Sequence, residues 1–466
     1  MTKNKKMWGG RFSRKPASEV ESFSTSIAVD YRLARYDIAG SIAHAKMLAK
    51  VGIIKEAEAE KIIAGLSEVK AEIENNRFST EPSDEDIHTA IERRLYEKIG
   101  EQAGKLHTGR SRNDQIALDE RLYVKDLIGQ LDQRLKSLQQ ACLLWLKKYP
   151  KVIMPAFTHL QHSQVILFSH WVLAYLEMFQ RDRERLRDAL NRVDVSPLGA
   201  GAGGGSSLPL DPEYSAKLLG FGKVFTNSLD AVSDRDFLVE VLAGLSLIAV
   251  HLSRLCEELV LWSTIEFNYI EIDQRYCTGS SALPQKKNPD IPELVRGKTG
   301  LVFGSLMSLL TTFKGLPLSY NRDLQEDKAP FFASADTVLD SLAIISEMIP
   351  RIKVNTKAME KAAESGYPTA IDLAEYLVKK GVSFREAHRI VGAVIKYCDK
   401  KNKGFSTSKG LSALSLPEMK RFSRFFSQDV RKVLSPKDSI SNRCTPSSPN
   451  PEEVCARIQK WTEVLK

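Results

Sequence analysis

The sequence has few cysteines and no motif that would pair them. Its six cysteines are scattered along 466 residues, and no two of them form a C-x-x-C pair. This scatter favours free thiols in a reducing compartment over a disulfide framework or a zinc site. The histidines add no metal-binding motif, since neither H-x-x-x-H nor H-E-x-x-H occurs. We therefore expect no bound metal.

Long apolar runs are also missing. The longest run, Val241 to Val250, has ten residues, whereas a membrane-spanning helix needs about 20. The basic N-terminus, residues 1–6, is not followed by the apolar segment of a secretory signal. The sequence therefore predicts a cytoplasmic protein with no membrane partner.

Acidic residues are outnumbered by basic ones. The chain has 67 Lys and Arg against 58 Asp and Glu, which gives a net charge of +9. A basic balance is compatible with nucleic-acid binding, with attraction of a polyanionic small molecule, or with a plain solvated surface. No RNP, zinc-finger or helix-turn-helix pattern accompanies the charge. We therefore expect no nucleic-acid partner.

Strand-like alternation is scarce, and helical spacing dominates the middle of the chain. Apolar residues recur at intervals of three and four over 123–145, 165–179, 237–262, 302–313 and 338–349. A helix of about 30 residues is about 45 Å long. Several such helices predict an all-α fold built on a long central helix bundle.

The stripe over 237–262 is apolar around much of the helix, because Leu238, Leu242 and Leu247 flank it. Such a helix must be covered on several sides. We infer that the bundle packs against copies of itself and forms a multi-helix core. A large monomeric bundle is the alternative.

A chain of 466 residues is expected to form two or three domains. The sequence predicts an N-terminal helical domain over 1–107, the long-helix bundle over 108–360 and a small helical domain over 361–466. The last region has shorter amphipathic segments and a polar tract at 435–451.

Residues 279–290 combine a glycine, two serines, two lysines and an asparagine in one short loop. Gly279 gives the backbone freedom, and Pro284 and Pro289 restrict the loop between them. Such a segment could fold over an anionic ligand and bring a proton acceptor with it. A purely structural loop could have the same composition.

Four further polar segments interrupt the helical patterns, at 84–89, 107–114, 158–164 and 320–328. Singly, each has an ordinary explanation as a helix cap or a solvated face. Together they are harder to dismiss, because each mixes charged and polar groups at a helix junction. Function is often carried by such loops on a rigid scaffold.

The order of residues in the 279–290 loop resembles the signature loop of the fumarase/aspartase superfamily, roughly G-S-S-x-M-P-x-K-x-N-P. Leu283 stands where many members carry Met. Within that superfamily, His-Thr-Gly-Arg-Ser-Arg-Asn-Asp at 107–114 is similar to the motif of argininosuccinate lyases. Four further segments are similar to the same family, namely Trp8 to Phe12, 227–236, 320–328 and 384–388. The resemblance runs from about residue 7 to the end and weakens near 441–451.

This resemblance implies β-elimination of argininosuccinate to arginine and fumarate, without a cofactor. It implies Ser280 as the base, although spacing does not decide between Ser280 and Ser281. Lys286 and Asn288 would stabilise the aci-carboxylate intermediate. His159 would assist the leaving nitrogen, directly or through water. Glu293 would orient His159.

The resemblance also implies a set of supporting or substrate-binding groups. These are Ser26, His88, Arg112, Asn113, Thr158, Asn288, Tyr320, Gln325 and Lys328. Arg112 would meet a substrate carboxylate through a bidentate fork and Lys328 as a point charge. Superfamily members assemble each active site from three subunits of a homotetramer, so the same assembly is expected here.

Three alternatives remain open at the level of sequence. A sister fumarate-releasing lyase shares the loop chemistry. A catalytically silent structural relative is a different class, although Ser280, His159 and Lys286 are all present. A nucleic-acid-binding protein would need strong salt-dependent retention of DNA.

Overall fold

The computed structural model of the chain describes residues 17–402 and 410–466. The segment from Trp8 to Phe12, which contributed to the family resemblance, lies outside these residues. The described chain is overwhelmingly helical, so the all-α prediction is confirmed.

The helices and strands are numbered in the order in which they follow one another along the chain. The α-helices are α1 (Ser18–Ser24), α2 (Ile27–Asp30), α3 (Ala34–Lys50), α4 (Glu56–Glu74), α5 (Ile87–Ile99), α6 (Arg112–Lys148), α7 (Phe168–Val193), α8 (Pro212–Leu218), α9 (Ser228–Ser233), α10 (Asp236–Ser263), α11 (Asp290–Phe313), α12 (Lys328–Met348), α13 (Thr356–Ala363), α14 (Ala370–Lys379), α15 (Phe384–Asn402), α16 (Leu416–Lys420), α17 (Pro436–Ser441) and α18 (Pro451–Val464). The strands are β1 (Ile153–Thr158), β2 (Gln161–Leu167), β3 (Val195–Ser196), β4 (Lys223–Val224), β5 (Ile270–Glu271) and β6 (Lys353–Val354). Short 3₁₀ segments cover Tyr31–Leu33, Gly100–His107, Gln274–Tyr276, Arg322–Asp327, Ile349–Arg351, Leu411–Ala413 and Gln428–Val433.

Helices α6, α7, α10, α11 and α12 are long, with 37, 26, 28, 24 and 21 residues. The predicted stripes lie on them, because residues three and four apart share one helix face. One boundary was wrong. Val165 is not helical but lies in β2, and α7 begins only at Phe168.

Strands β1 and β2 form an antiparallel hairpin that the sequence did not indicate. Ile153 pairs with Leu167 at one end, and Thr158 pairs with Gln161 at the other. Only two residues therefore connect the strands. The remaining strands form two-residue pairs, with β3 parallel to β4 and β5 antiparallel to β6.

The described chain divides into two compact units. Unit 1 comprises the residues up to Asp132 with Arg183–Leu247 and Gly300–Val338. Unit 2 comprises Gln133–Asp182, Ile248–Thr299 and the residues from Leu339 onward. The three-domain division at 107 and 360 stays a prediction.

In unit 1, small residues let helices pack closely. A Cβ added at Gly65 on α4 would lie 2.6 Å from Leu95 Cδ1 on α5. A Cβ added at Gly40 on α3 would lie 2.7 Å from Leu118 Cδ2 on α6. A larger side chain at either glycine would require the neighbouring leucine to move, so α3, α4, α5 and the first part of α6 pack closely.

In unit 2, aromatic rings form much of the core. The centroids of Trp145 and Phe168 are 4.7 Å apart, and those of Trp171 and Trp262 are 4.3 Å apart. The Trp145 indole N–H donates to the carbonyl of Ile352 at 3.1 Å, so the buried ring leaves no unpaired polar atom. A second cluster joins α14, α15 and the chain that follows them.

Two stretches, Asp236–Ser263 and Arg322–Arg351, are long and apolar enough to cross a membrane by composition alone. Buried residues make up 56% and 44% of their most apolar windows. Core helices of soluble proteins pass the same test, so these stretches are weak evidence for a membrane protein.

Candidate active site

The signature loop is closed at its base. Thr278 N–H donates to the Asn288 carbonyl at 3.2 Å, and Asn288 N–H donates back to Thr278 at 2.8 Å. Asp290, at the start of α11, accepts hydrogen bonds from Thr278 N at 3.0 Å and Thr278 Oγ1 at 2.6 Å. The two ends of the loop are therefore joined, while residues 281–287 between them are exposed.

The hydroxyl of Ser280 lies in a small backbone nest. Its Oγ accepts hydrogen bonds from the N–H groups of Ala282 at 3.3 Å and Leu283 at 3.1 Å. Two N–H donors on one oxygen favour negative charge there. Among the described residues, the exposed Ser281 hydroxyl has no hydrogen bond. The two serines, equal in sequence, therefore differ in environment.

Lys286 and Asn288 differ in how firmly they are held. Asn288 Nδ2 lies 3.4 Å from the Gly279 carbonyl and 3.5 Å from Thr278 Oγ1. The Lys286 ammonium is exposed and has no hydrogen bond or ion pair within the described part of the chain. It is therefore available to an anionic ligand, whereas neighbouring Lys287 pairs with Glu271 at 3.3 Å.

His159 lies at the tip of the β1–β2 hairpin, directly after Thr158. Both central residues of the turn have positive φ, 54° at His159 and 58° at Leu160. This is the pattern of a type I′ turn, which is usually built from Asn and Gly. The left-handed conformation is costly for most residues. Thr158, His159 and Leu160 are all exposed there.

Glu293 lies in the first turn of α11 and is exposed. Within the described residues, no hydrogen bond joins the Glu293 carboxylate to His159. Its predicted orienting role therefore stays a prediction.

In unit 1, the segment before α5 gathers several predicted groups. Ser26 N–H donates to the Glu85 carbonyl at 2.9 Å, and Ser26 Oγ donates to Asp30 at 2.5 Å. Gln325 Nε2 donates to the Ser24 carbonyl at 3.2 Å. Ser26 and Gln325, about 300 residues apart in sequence, are thus brought to one place.

His88 is fully buried between two carboxylates. Its Nδ1 lies 3.1 Å from Asp37 Oδ1 and 3.3 Å from Asp119 Oδ2. The second contact is poorly aligned, so both Asp119 oxygens lack a hydrogen-bond partner. Burial, then the charge of Asp37, raises the pKa of Asp119 well above its usual value. Burial opposes ionisation of Asp37 too, but hydrogen bonding and the charge of His88 outweigh it and lower that pKa to about 2.

Asp37, His88 and Asp119 each offer one metal-ligating atom, and these atoms lie within 4.8 Å of one another. Because a carboxylate accepts, His88 Nδ1 carries the proton that it shares with Asp37. We interpret the group as a network that orients the His88 ring, with Nε2 left unpaired. The predicted absence of a metal stays a prediction.

Arg112 and Asn113 begin α6. Arg112 Nε lies 3.2 Å from Asp86 Oδ2, and its NH1 donates to Gln115 Oε1 at 2.9 Å. Its guanidinium thus already has partners. Asn113 N–H donates to Ser111 Oγ at 3.3 Å. The Asn113 side chain is half-buried and has no hydrogen bond within the described chain.

Lys328 belongs to a buried group of four charges. Its ammonium lies 2.7 Å from both Glu120 Oε1 and Asp327 Oδ1. Arg235 Nε lies 2.8 Å from Glu120 Oε2 and 2.7 Å from Asp327 Oδ2. Burial opposes the charge on Lys328, but Asp327 and Glu120 outweigh it and raise its pKa. For the nearby Tyr320, burial disfavours the charged phenolate and so raises the pKa.

Sequence reasoning missed the partners that hold these groups. Asp114, named from sequence only as the end of the 107–114 motif, accepts from Gly199 N at 3.0 Å and from Gly201 N at 2.9 Å. It thus ties the Gly-rich connection at 196–212 to the start of α6. Glu120 was missed as well, and Arg235 was named only as part of the 227–236 segment. The only signal for Glu120 was a charged residue beside an apolar helical stripe, which is too common to single it out.

The predicted site residues are divided between the two units. Unit 1 contains Ser26, His88, Arg112, Asn113, Tyr320, Gln325 and Lys328. Unit 2 contains Thr158, His159, Ser280, Lys286, Asn288 and Glu293.

Comparison with known proteins shows which family this chain resembles. The model of a lyase family matches residues 10–304, and a model described as the argininosuccinate lyase C-terminal region matches residues 367–441. Argininosuccinate lyase of Syntrophus aciditrophicus is 51% identical over 442 residues, covering 95% of this chain and 92% of the relative. Argininosuccinate lyase of Moorella thermoacetica is 50% identical over 460 residues, covering 99% and 98%.

Solved structures agree in fold. An EDDS lyase in complex with formate is 26% identical, covers 96% of this chain and 89% of its own, and superposes with a TM-score of 0.84. A class II fumarase of Schistosoma mansoni is 14% identical, covers 90% and 94%, and gives a TM-score of 0.73. The second likeness concerns the fold alone.

Proposed function

The chain belongs to the argininosuccinate lyase family and is a carbon–nitrogen lyase, and we propose that it eliminates fumarate from argininosuccinate with Ser280 as the base. Identity of about 50% to argininosuccinate lyases over nearly the whole chain supports this substrate. The products are arginine and fumarate.

The proposed base removes a proton from the carbon next to a carboxylate. A serine hydroxyl is a poor base, so its alkoxide must be stabilised before the step. The N–H groups of Ala282 and Leu283, which donate to Ser280 Oγ, supply such stabilisation. This nest is the observation that carries the proposal, and it favours Ser280 over Ser281.

Loss of the proton makes the carboxylate a doubly charged aci-carboxylate. Lys286, whose ammonium is unpaired among the described residues, supplies a positive charge on the same loop as the base. Asn288 supplies an amide donor near the closed base of the loop. A donor already fixed in place stabilises developing charge without solvent reorganisation, and one such donor is typically worth about 3–4 kcal/mol of barrier.

The electron pair left by the proton forms the double bond of fumarate, and the carbon–nitrogen bond breaks. The leaving guanidino nitrogen then takes a proton from His159, with Glu293 as the carboxylate that orients the imidazole. The exposed hairpin tip supports this role, because it leaves His159 accessible to a ligand.

The substrate's remaining groups are proposed to meet the other predicted residues, among them Thr158. Hydrogen-bonding groups come from Ser26, His88, Gln325 and Tyr320. Arg112 and Lys328 are proposed to bind the carboxylates of the substrate. Asn113 is also proposed to bind the substrate, because its side-chain amide has no hydrogen bond within the described chain.

We further propose a homotetramer in which each active site takes residues from several copies. Phe303, Met307 and Leu310 on α11 support it, with exposed fractions of 43%, 61% and 45%. The cytoplasm is the proposed location, and the six unpaired thiols are typical of a reducing compartment.

Assays of the purified enzyme test which substrate it uses. Fumarate absorbance is expected to rise with argininosuccinate and to stay flat with malate, aspartate and adenylosuccinate. Release from one of the other three substrates instead would assign the chain to a sister lyase.

Substitution of two neighbouring serines tests which residue is the base. Ser280→Ala should lower kcat by about 10²–10⁴-fold, the usual contribution of a positioned base, while the enzyme still binds argininosuccinate. Ser281→Ala is the matched control and should keep turnover close to normal. The reverse order of the two variants would move the base to Ser281.

A further inference from the structure

The hairpin that presents His159 is anchored by a second histidine three residues later. His162 pairs with Phe157 across β1 and β2, immediately below the turn. The two rings meet edge to face, with centroids 5.2 Å apart. Phe157 in turn lies 5.8 Å from the ring centroid of Phe267 and 6.4 Å from that of Tyr269. One side of the His162 ring is therefore fixed by an aromatic cluster of unit 2.

The other side of His162 is held by the backbone after α13. Its Nδ1 lies 3.1 Å from the carbonyl oxygen of Ser365. Because a carbonyl only accepts, Nδ1 carries the proton and donates it. Gly366 follows with φ of 77°, and a Cβ there would lie 3.4 Å from His162 Nδ1. The ring is thus clamped between Phe157 and residues 365–366.

This clamp matters because the turn above it is strained. His159 and Leu160 both have left-handed φ, 54° and 58°, without a glycine. Such a conformation persists only where the surrounding structure over-determines it. His162 supplies that constraint, since its side chain ties the strand that leaves the turn to a separate segment of the same unit.

We infer that His162 is a positioning residue, which holds the strained hairpin tip so that His159 can deliver its proton. The inference rests on the proposed role of His159 as the acid. His162 does not touch the substrate and takes no part in the proton transfer. Its effect passes through the geometry of the turn, and a misplacement of about 1 Å in an active site can cost about 10²-fold in rate.

The experiment is a double-mutant cycle on the intact enzyme, with argininosuccinate as substrate. His162→Leu removes the donor to Ser365 while keeping apolar bulk. His162→Asn is the conservative variant, because its amide also offers an N–H donor close to the backbone. Each change is made in the natural chain and in a His159→Gln background. Thermal unfolding checks that all variants are folded.

The expected result is a fall in kcat of about tenfold or more for His162→Leu, within the cost of such misplacement, and little change in KM. His162→Asn should recover most of the lost turnover. In the His159→Gln background, His162→Leu should cause no further loss, because the group that it positions is gone.

Each other outcome has a separate meaning. If His159→Gln loses turnover but His162→Leu leaves kcat unchanged, or lowers it equally in both backgrounds, the positioning role is overturned and the proposed acid stands. If His159→Gln keeps near-normal turnover, the proposed acid is overturned, and with it the reason to position it. A fall in thermal stability that Asn fails to recover, with kcat unchanged in the folded enzyme, assigns His162 to stability alone.

Discussion

His44 is a buried imidazole whose two nitrogens have unequal surroundings. Its Nε2 lies 2.9 Å from the Thr108 carbonyl and so carries the proton. Its Nδ1 is buried without a hydrogen-bond partner. A second proton on Nδ1 would therefore be unpaired, close to the positive Arg110. Burial, followed by the charge of Arg110, lowers the pKa of His44 to about 3, although the hydrogen bond with Thr108 opposes this.

This environment predicts a loss of stability in mild acid. An unfolded histidine takes up a proton near pH 6.5, whereas folded His44 stays neutral down to about pH 3. Between these values the unfolded state binds more protons, so the free energy of unfolding falls as pH falls. At about pH 5 the loss from His44 is about 2 kcal/mol relative to neutral pH. Urea unfolding at the two pH values measures it.

His44→Gln should flatten this part of the pH dependence, because the amide can still donate to Thr108 but does not titrate in this range. His388→Gln, at an exposed position, should leave the pH dependence unchanged. Equal pH dependence in the natural chain and in His44→Gln would contradict the assignment.

Sequence motifs named the residues that bear charge in the proposed mechanism, but they did not indicate the partners of these residues. Lys328 was placed among the substrate-binding groups by its motif. Its contact with Glu120 joins positions 208 apart in the chain. No local pattern encodes such a pair, because ion pairing at this separation depends on how helices pack rather than on spacing along one helix.

Among the structural elements, the Gly-rich connection between α7 and α8 depends most on individual glycines. Gly199, Gly201, Gly203 and Gly205 all have positive φ. Asp114 accepts hydrogen bonds from two of these residues and fixes the connection against α6. The backbone conformation thus accounts for glycine at these positions.

Two alanine substitutions in this connection should differ sharply. Gly201 has φ of 59°, and an added Cβ would lie 2.9 Å from the Gly205 carbonyl oxygen. Gly201→Ala should therefore cost about 1–2 kcal/mol from the left-handed conformation alone, and more from the close contact. Gly204→Ala is the matched control, since no atom lies within 4 Å of its added Cβ and its φ is not in the left-handed range.

The midpoint of thermal unfolding measures both variants. We expect a clear decrease for Gly201→Ala and little change for Gly204→Ala, as for most uncrowded surface changes. Equal decreases would show that the connection is sensitive to any added side chain.

Long helices were predictable as elements because a three-and-four repeat over 20 or more residues has no other common explanation. The hairpin was not. Val165 falls in register with the stripe that continues at Phe168, so periodicity alone extended the helix too far back. The strands are short, and their two-residue turn lacks the Asn-Gly signal that usually marks such a hairpin.

For the molecule as a whole, the exposed apolar surface of α11 is the main sign of assembly. Phe303, Met307 and Leu310 are spaced by four and three and share one helix face. Contiguous exposed apolar surface of this kind marks interaction sites. A second copy of the chain is the proposed occupant.

A charge on this face should disrupt the assembly. Met307→Glu is expected to convert a particle of about four chains into smaller species, because a carboxylate loses its hydration at an apolar interface. Turnover should fall with it, since the proposed sites are shared between copies. Sedimentation velocity with parallel fumarate assays measures both effects.

Val378→Glu is the control, because Val378 is an apolar residue on α14 with 40% of its surface exposed. It should leave both particle size and turnover unchanged. A fully active Met307→Glu monomer would contradict the shared-site proposal. The number of copies came from the family resemblance, and the apolar stripe at 237–262 indicated only self-association. A single chain's sequence encodes which faces are apolar but not the symmetry that covers them.

The buried charges around Lys328 have one more consequence. An ammonium group has three N–H bonds arranged like a tripod. The Lys328 ammonium donates to Asp327 Oδ1 at 2.7 Å and lies at the same distance from Glu120 Oε1, so the protein restricts the directions in which its other N–H bonds can point. Lysine is ordinarily a cation without preferred direction, at the end of a pliant chain. Held between two carboxylates, Lys328 becomes a donor of restricted direction rather than a freely rotating charge.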